Sequence, residues 1–164
     1  MTTLHLGVID IPYAGPGYST PSTTRKSRPS KRPRARGGPI SISTGDVAEI
    51  LEAEYHIMET FYELHEAMIA QEATDSVQDA IDALVMGAPH TLDPFGSVMQ
   101  TIEARFKQFL SLREMDRLGI PGVPTKAAQM GVSHRFKHPY ARRAERPSFI
   151  DTGQYQASFK AWVD

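Results

Sequence analysis

The stretch ISTGDVAEILEAEYHIMETFYELHEAMIAQEA, residues 42–73, decides the fold because it carries the strongest periodic pattern in the chain. Its apolar and aromatic side chains recur at spacings of three and four, which places them on one face of an α-helix. The members of this face are Val47, Ile50, Leu51, Tyr55, Met58, Phe61, Tyr62, His65, Met68 and Ile69. Ser43 or Thr44 can cap the start, and Asp46 places negative charge in the first turn, where the helix dipole favours it. The pattern predicts a first helix over residues 44–72.

Two further helices are predicted after this stretch. A break near residues 73–74 separates the first helix from a second one, which Gly87 ends. Asp93 is suited to cap a third helix that begins at Pro94, where a missing N–H has no cost, and Gly119 ends it. The apolar face of the second helix consists of Val77, Ala80, Ile81, Leu84 and Val85.

Shorter apolar patterns lie at both ends of the chain. Residues 4–11 are β-prone and stop at a proline, which predicts an edge strand or an extended docking segment. A short helix is predicted to start at residues 124–125, and an exposed loop is predicted over residues 137–148. Residues 152–163 fit two alternatives, because their apolar positions alternate as in a strand and also repeat as in a helix. A capping residue just before them favours the helix.

These elements define the expected fold class: mainly α, a small helical domain with a long extended N-terminal arm and a few short strands. We expect an extended, proline-rich, basic arm over residues 1–43 and a helical body over residues 44–164 that ends in a C-terminal docking segment. Residues 12–39 are rich in Pro, Gly, Ser and Thr, a composition that cannot bury a core. The 164 residues suit one domain plus such an appendage.

Composition argues against several classes of protein. There is no cysteine, so neither a disulfide framework nor thiolate chemistry is expected. The N-terminal residues lack the basic region and the long apolar run of a signal peptide. No stretch approaches the roughly 18 apolar residues that a membrane span needs. A membrane partner is therefore not expected.

Charge is segregated along the chain, although the formal net charge is only −1. Residues 25–36 hold seven basic residues and no acid, residues 38–104 hold 13 acids and no Lys or Arg, and residues 105–164 hold 11 basic residues and five acids. Such blocks are evidence about partners and not about fold. The side chains predicted to bind a partner in the first block are Arg25, Lys26, Arg28, Lys31, Arg32, Arg34 and Arg36.

Two kinds of partner fit this basic cluster. It could neutralise the phosphates of a nucleic acid, which gives sequence-independent and salt-sensitive affinity. It could also lie on the acidic helix of a neighbouring subunit, where arginine forks bind carboxylates. No aromatic residue interleaves the cluster, so base stacking is not indicated. Docking on a subunit or another protein is favoured over nucleic acid.

No pattern in the sequence predicts catalysis. His134 and His138 stand four residues apart, but Pro139 follows at once and no third ligand lies near, which argues against a metal site. His56 and His65 lie nine apart on the first helix and are not expected to converge. The chain has no glycine-rich phosphate loop and no nucleophile elbow. We therefore expect no catalytic residues, no cofactor and no metal, and a protein that is not an enzyme.

The C-terminal third carries a resemblance to a known group of proteins. The segments GVPTKAAQMGVSHRFKHPYARR and RPSFIDTGQYQASFKAWVD, together with GDVAEILEAEYHIMETFYELH, resemble virion proteins of contractile-tailed and Mu-like bacteriophages encoded among the head–tail joining genes. FIDTG followed by an apolar residue and a serine is similar to the TG-x-L-x-x-S signature of tail-completion and neck proteins, with Tyr155 and Ser158 at those positions. The resemblance covers residues 44–164, whereas the long basic arm departs from compact tail-completion proteins.

The resemblance implies a non-enzymatic ring component between the portal and the tail tube of the virion, assembled in the host cytoplasm and repeated six- or twelve-fold. Its partners would be copies of itself and other neck, portal-side and tail-tube proteins, with contact to packaged DNA. The alternative is a DNA-binding protein whose basic arm holds phosphates.

The C-terminal segment is the second candidate binding site. Aromatic and arginine side chains usually anchor interfaces, and this segment is expected to dock at an inter-subunit or tail-facing surface. The alternative is that its aromatic side chains close the core of their own chain. The residues concerned are Arg146, Phe149, Tyr155, Phe159 and Trp162.

Overall fold

The computed structural model describes residues 3–13, 42–87, 93–131 and 144–164. The described residues form a mainly α domain with one two-stranded sheet, which confirms the expected fold class. In chain order the elements are β1 (Leu4–Val8), α1 (Thr44–Tyr55), α2 (Ile57–Val85), α3 (Gly96–Ser111), α4 (Glu114–Arg117), α5 (Lys126–Gln129), α6 (Gln154–Ser158) and β2 (Phe159–Val163).

The first helix starts where its local sequence predicts. The Ser43 hydroxyl accepts a hydrogen bond from the Asp46 N–H, and the Asp46 carboxylate accepts one from the Ser43 N–H at 2.9 Å. This reciprocal capping box satisfies two N–H groups that have no partner inside the helix. The hydroxyl of buried Thr44 serves another purpose, because it donates to the Ile9 carbonyl and accepts from the Ile11 N–H.

The predicted break at residues 73–74 is wrong, and the helix is interrupted at His56 instead. His56 adopts the left-handed conformation, with φ 49° and ψ 49°. Glu52 then reaches across the interruption, and its carboxylate accepts the N–H groups of Met58 and Glu59 at 2.8 and 3.1 Å. α2 continues without a break through Thr74, whose hydroxyl donates to the carbonyl of the residue four positions earlier in the same helix.

The third helix is shorter than its pattern predicts. The Asp93 carboxylate accepts the Phe95 N–H at 2.9 Å, but the helix itself begins at Gly96 and ends at Ser111. Arg113 is left-handed, and its guanidinium binds the carboxylate and the carbonyl of Glu145 at 2.8 and 3.0 Å. This contact with a distant segment turns the chain, and α4 follows as a separate helical turn.

The short helix predicted near residue 124 is present as α5. The Thr125 hydroxyl accepts the Ala128 N–H and caps it. Residues 132–143 lie outside the described residues, so most of the loop predicted over residues 137–148 is not tested.

The sheet joins the two ends of the described chain. β1 pairs with β2 in antiparallel register, with Leu4 opposite Val163 and Val8 opposite Phe159. Residues 4–8 therefore form a strand of the body, so the boundary predicted at residue 43 does not separate them from it.

For residues 152–163 both predicted alternatives, the helix and the strand, occur one after the other. A helical turn, α6, runs directly into strand β2, so a helix over the whole segment is wrong.

The core lies between the first half of α2, α3 and β2. Four phenylalanine rings fill it, and Phe106 and Phe159 stack with ring centroids 3.8 Å apart, while Phe61 meets Phe106 edge-on at 5.2 Å. The fully buried side chains of this core include Ile57, Phe61, Ile102, Phe106, Phe109 and Phe159. After Ile69 no described residue of α2 is buried, so the second half of this helix runs beyond the core.

Candidate interaction site

The seven basic residues of the predicted arm, Arg25 to Arg36, lie outside the described residues, but both ends of the segment that contains them are described. The Tyr13 N–H donates to the Ile42 carbonyl at 3.0 Å, and Pro12 pairs with Ser43 in an antiparallel bridge. The two described ends of residues 14–41 therefore lie side by side on the body. We call residues 14–41 the basic insertion, because it connects β1 to α1 and both of its ends are fixed to the body.

A hydrogen-bonded cluster holds the base of the insertion. The Asp10 carboxylate accepts the Gly45 N–H at 3.1 Å. Hydrogen bonds from the Ser43 side chain and the Gly45 backbone lower the pKa of Asp10 below its usual value. A Cβ atom at Gly45 would lie 2.8 Å from the Asp10 Oδ1 atom, so a larger residue there would displace the Asp10 side chain from this hydrogen bond. The insertion thus starts and ends on a defined platform.

The five predicted C-terminal binding residues divide between the core and the surface. Tyr155 and Phe159 are 3% and 0% exposed and belong to the core of their own chain, as the alternative interpretation expects. Phe149 is half-buried against Tyr55, with ring centroids 5.0 Å apart. Trp162 is 47% exposed and is the aromatic member of this group with the most surface left for a partner.

Trp162, Tyr155 and Arg146 differ in the contacts that their side chains make. The Trp162 ring stacks on His5 of the neighbouring strand, with centroids 5.4 Å apart. The Tyr155 hydroxyl is buried and has no hydrogen-bond partner among the described residues, and burial raises the pKa of Tyr155. Arg146 donates to the Ile150 carbonyl at 2.5 Å, so this guanidinium also serves the fold of the C-terminal segment.

A cleft of about 890 Å³ opens between β1 and the junction of α1 with α2. Its floor is apolar, and carboxylates of α1 and α2 line its rim. The lining residues are Leu4, Leu6, Glu49, Glu52, Ala53, His56, Met58, Glu59 and Tyr62. An acidic rim around an apolar floor fits a ligand that combines apolar and cationic groups.

Glu52, His56 and Glu59 converge at this rim, with one potential ligand atom of each within 4.8 Å of the others. This cluster was not predicted from the sequence, although positions i, i+4 and i+7 of a helix share one face. Both carboxylate oxygens of Glu52 already cap α2, and His56 Nδ1 lies 2.9 Å from Glu59 Oε2. These contacts account for the cluster as the support of the helix junction, so it carries no argument for a metal.

His65, the second histidine of the first predicted helix, lies in the core. Its ring packs on Phe61, and its Nδ1 atom lies 2.9 Å from the Phe61 carbonyl oxygen. Its Nε2 atom lies 3.6 Å from the Glu114 carboxylate, which pairs with Arg105 at 3.0 Å. This chain of contacts places α4 beside the first half of α2 and gives His65 a structural role.

Residues 70–86, which form the second half of α2 and its C-cap, carry the two most exposed large apolar side chains of the described chain; we call them the α2 tail. It contains Glu72, Asp75, Asp79 and Asp82 and no basic residue. The Ser76 hydroxyl donates to the Pro94 carbonyl, which fixes the tail to the segment before α3. Its exposed apolar residues, with their exposed fractions, are Val77 (39%), Ile81 (54%), Leu84 (56%), Val85 (79%) and Met86 (83%).

None of the described helices combines the length and the apolar character needed to cross a lipid bilayer. Comparisons of the chain with protein-family models, with curated proteins and with solved structures found no match.

Proposed function

We propose that this chain is a structural subunit of a bacteriophage virion, a neck or head–tail connector protein that joins the portal side to the tail tube in a ring of six or twelve copies. The observation that carries the proposal is the α2 tail. Large apolar patches that remain exposed on a protein with a well-packed core mark sites of protein–protein contact. The resemblance of residues 44–164 to head–tail joining proteins supports the same assignment.

The proposed subunit acts by binding, without catalysis and without a cofactor. The basic insertion supplies cations, and the helical body supplies carboxylates. Five residues separate Arg36 from Ile42, which makes six steps along the chain. A chain spans at most about 3.3–3.6 Å per residue, so the Arg36 Cα atom lies within about 20 Å of the base, and its guanidinium lies farther by at most the length of the side chain. An insertion anchored in this way can present its cations to the acidic surface of an adjacent subunit. Each exposed ion pair contributes about 0–1 kcal/mol, and repetition around a ring adds these contributions.

Neutralising the insertion tests the proposal. We expect substitution of Arg28, Lys31, Arg32, Arg34 and Arg36 by Gln to impair joining of the subunit to the rest of the particle. The helical circular dichroism should persist, because the caps and the core are untouched. The matched control replaces Ser19, Thr20, Ser22, Thr23 and Thr24 by Gln, which changes as many side chains of the same segment without changing its charge. Normal joining by the neutralised variant at low and high salt would contradict the proposed role of the insertion.

DNA is the second candidate partner, because the basic cluster contains no acid. A variant in which a two-residue Asn-Gly turn replaces residues 14–41 distinguishes DNA binding from docking on a neighbouring subunit. This turn suits the antiparallel bridge at the base, and it preserves β1, which deletion of the whole N-terminal region would destroy. For DNA binding, the logarithm of affinity falls with the logarithm of salt concentration with a slope of about −0.9 per phosphate contact. DNA affinity with such a slope in wild type, lost in the variant, would favour the DNA-binding function.

A further inference from the structure

We propose that the α2 tail of one copy docks on the α3–α4 corner of the next copy, where the corner is defined by Leu112, Arg117 and Leu118. The inference deepens the proposed function, on which it rests, by naming the contact that would build the ring. It assigns a partner to the apolar side chains of the tail and to the acids beside them.

The tail requires a cationic partner. A helix C-terminus carries partial negative charge, which basic residues stabilise and acidic residues oppose. α2 has no basic residue in its last turn, and Asp82 lies near that end. Four acids flank the apolar positions of the tail, so a second tail packed against it would bring like charges together. Charge therefore favours a different surface over a tail–tail contact.

The α3–α4 corner offers complementary chemistry. Leu112 and Leu118 are 56% and 43% exposed on either side of α4. Arg117, the residue before Leu118, is exposed and forms no salt bridge within the described part of the chain. α4 also holds Glu114 and Asp116, but Glu114 pairs with Arg105 at 3.0 Å and the Asp116 carboxylate accepts the Ser148 N–H. Arg117 is therefore the exposed charge that α4 offers to a partner. The corner presents apolar area and positive charge together, as the tail requires.

The tail cannot reach the corner of its own chain. Glu114 in α4 lies beside His65, in the first half of α2, whereas Ser76 contacts the segment before α3. α2 and α3 therefore run in opposite directions, with the corner and the tail at opposite ends of the pair. The 19 residues from His65 to Leu84 span about 28 Å at 1.5 Å per residue. A contact between the two surfaces must join different copies, and such a head-to-tail contact closes into a ring when its rotation permits.

Sedimentation velocity of the purified full-length chain over a range of concentrations tests this interface. The tail variant is Ile81→Ser with Leu84→Ser, and the corner variant is Arg117→Glu with Leu118→Ser. All four side chains are exposed, so both variants should keep wild-type circular dichroism. We expect wild type to form oligomers larger than dimers and each variant to associate at least about tenfold more weakly, equivalent to about 1.4 kcal/mol. Gln78→Ser, on the tail but outside its apolar positions, should associate as wild type does.

A mixture of the two variants is the decisive sample. One intact tail then meets one intact corner, so the mixture should form heterodimers and nothing larger at concentrations where neither variant associates alone. A corner variant that associates as wild type does would show that the corner is not the surface on which the tail docks and would overturn the inference. A wild type that stays monomeric at every concentration would overturn it as well.

Failure of this interface can be distinguished from failure of the proposed function. If wild type forms rings that the tail and corner variants also form, another surface builds the ring and the inference is wrong. Incorporation of the same variants into particles then still tests the proposed function by itself.

Discussion

Replacing Phe159 with alanine tests whether the C-terminal strand closes the core. The Phe159 ring is fully buried, stacks on Phe106 at 3.8 Å and meets Phe61 edge-on at 6.1 Å. An aromatic side chain buries about 150–250 Å², which at about 25 cal/mol per Å² contributes about 4–6 kcal/mol. Measured costs of such truncations in protein cores are about 3–5 kcal/mol. We expect Phe159→Ala to lower the free energy of unfolding by about 4 kcal/mol.

Trp162→Ala in the same strand is the matched control. About half of the Trp162 side chain is already exposed, and solvent enters the space that the substitution leaves, so no cavity remains. About half of a side-chain area of about 200 Å² is buried, and burial of that half contributes about 2.5 kcal/mol. This figure is an upper bound, because area counted from an extended chain overstates the area that folding buries. We expect Trp162→Ala to remain folded and to lose about 2 kcal/mol or less.

Both variants can be compared by thermal unfolding followed by far-ultraviolet circular dichroism. In a chain of this size each kcal/mol lowers the melting temperature by about 2–4 °C. Phe159→Ala should therefore melt about 10 °C or more below wild type, and clearly below Trp162→Ala. An unchanged melting temperature for Phe159→Ala, with the larger loss in Trp162→Ala, would refute the assignment of Phe159 to the core and Trp162 to the surface.

Three further predictions follow from single contacts. Glu52→Ala should lower the free energy of unfolding by about 1–2 kcal/mol because two N–H groups at the start of α2 lose their acceptor. Chemical denaturation of this variant and of the control Glu49→Ala measures the loss, and equal losses in the two variants would contradict the prediction. Tyr155→Phe should leave the melting temperature unchanged or slightly raised, because the buried hydroxyl that it removes is unpaired among the described residues. The pKa of Asp10 is lowered from 3.8, so its contribution to stability is present above about pH 4 and is lost as the pH falls through the folded-state pKa. The difference between wild type and Asp10→Asn in denaturant midpoint should accordingly shrink in acid, and a constant difference would exclude this role.

The start of the first helix was predictable because its determinants are local. Ser43 and Asp46 stand three residues apart and complete the capping box between themselves. The mainly α class followed in the same way from the apolar periodicity of residues 42–73.

The interruptions of the helices were not predictable from local pattern, because distant contacts or unusual backbone conformations produce them. His56 is left-handed, a conformation that sequence patterns assign to glycine or asparagine. α3 ends at Ser111, and two residues later the left-handed Arg113 binds Glu145, which lies 32 residues further along the chain. The strand at Phe159 depends on pairing with Val8. In each case a tertiary contact or a side-chain cap prevailed over propensity.

The α2 tail was not predicted as an interaction surface, although its apolar positions were. The periodic pattern correctly placed the apolar residues of the second predicted helix in a helix. Periodicity does not show, however, whether another part of the protein packs against that face. The structure leaves this face exposed, because α3 begins at Gly96 and the described contact of the tail is made through Ser76 and Pro94. Conversely, Tyr155 and Phe159 were interface candidates, and the structure places them in the core.

The pairing of β1 with β2 has a consequence for the order of folding. It joins residues whose positions in the chain differ by as much as 159, from Leu4 to Val163, and contacts of such large sequence separation form late because loop closure precedes them. α2 and α3 can associate early through nearby residues, but their pair exposes Phe106 until Phe159 arrives. A ribosome-bound chain that has not yet released β2 therefore presents an aromatic surface to its surroundings, and chaperone binding or aggregation at that stage would compete with completion of the fold.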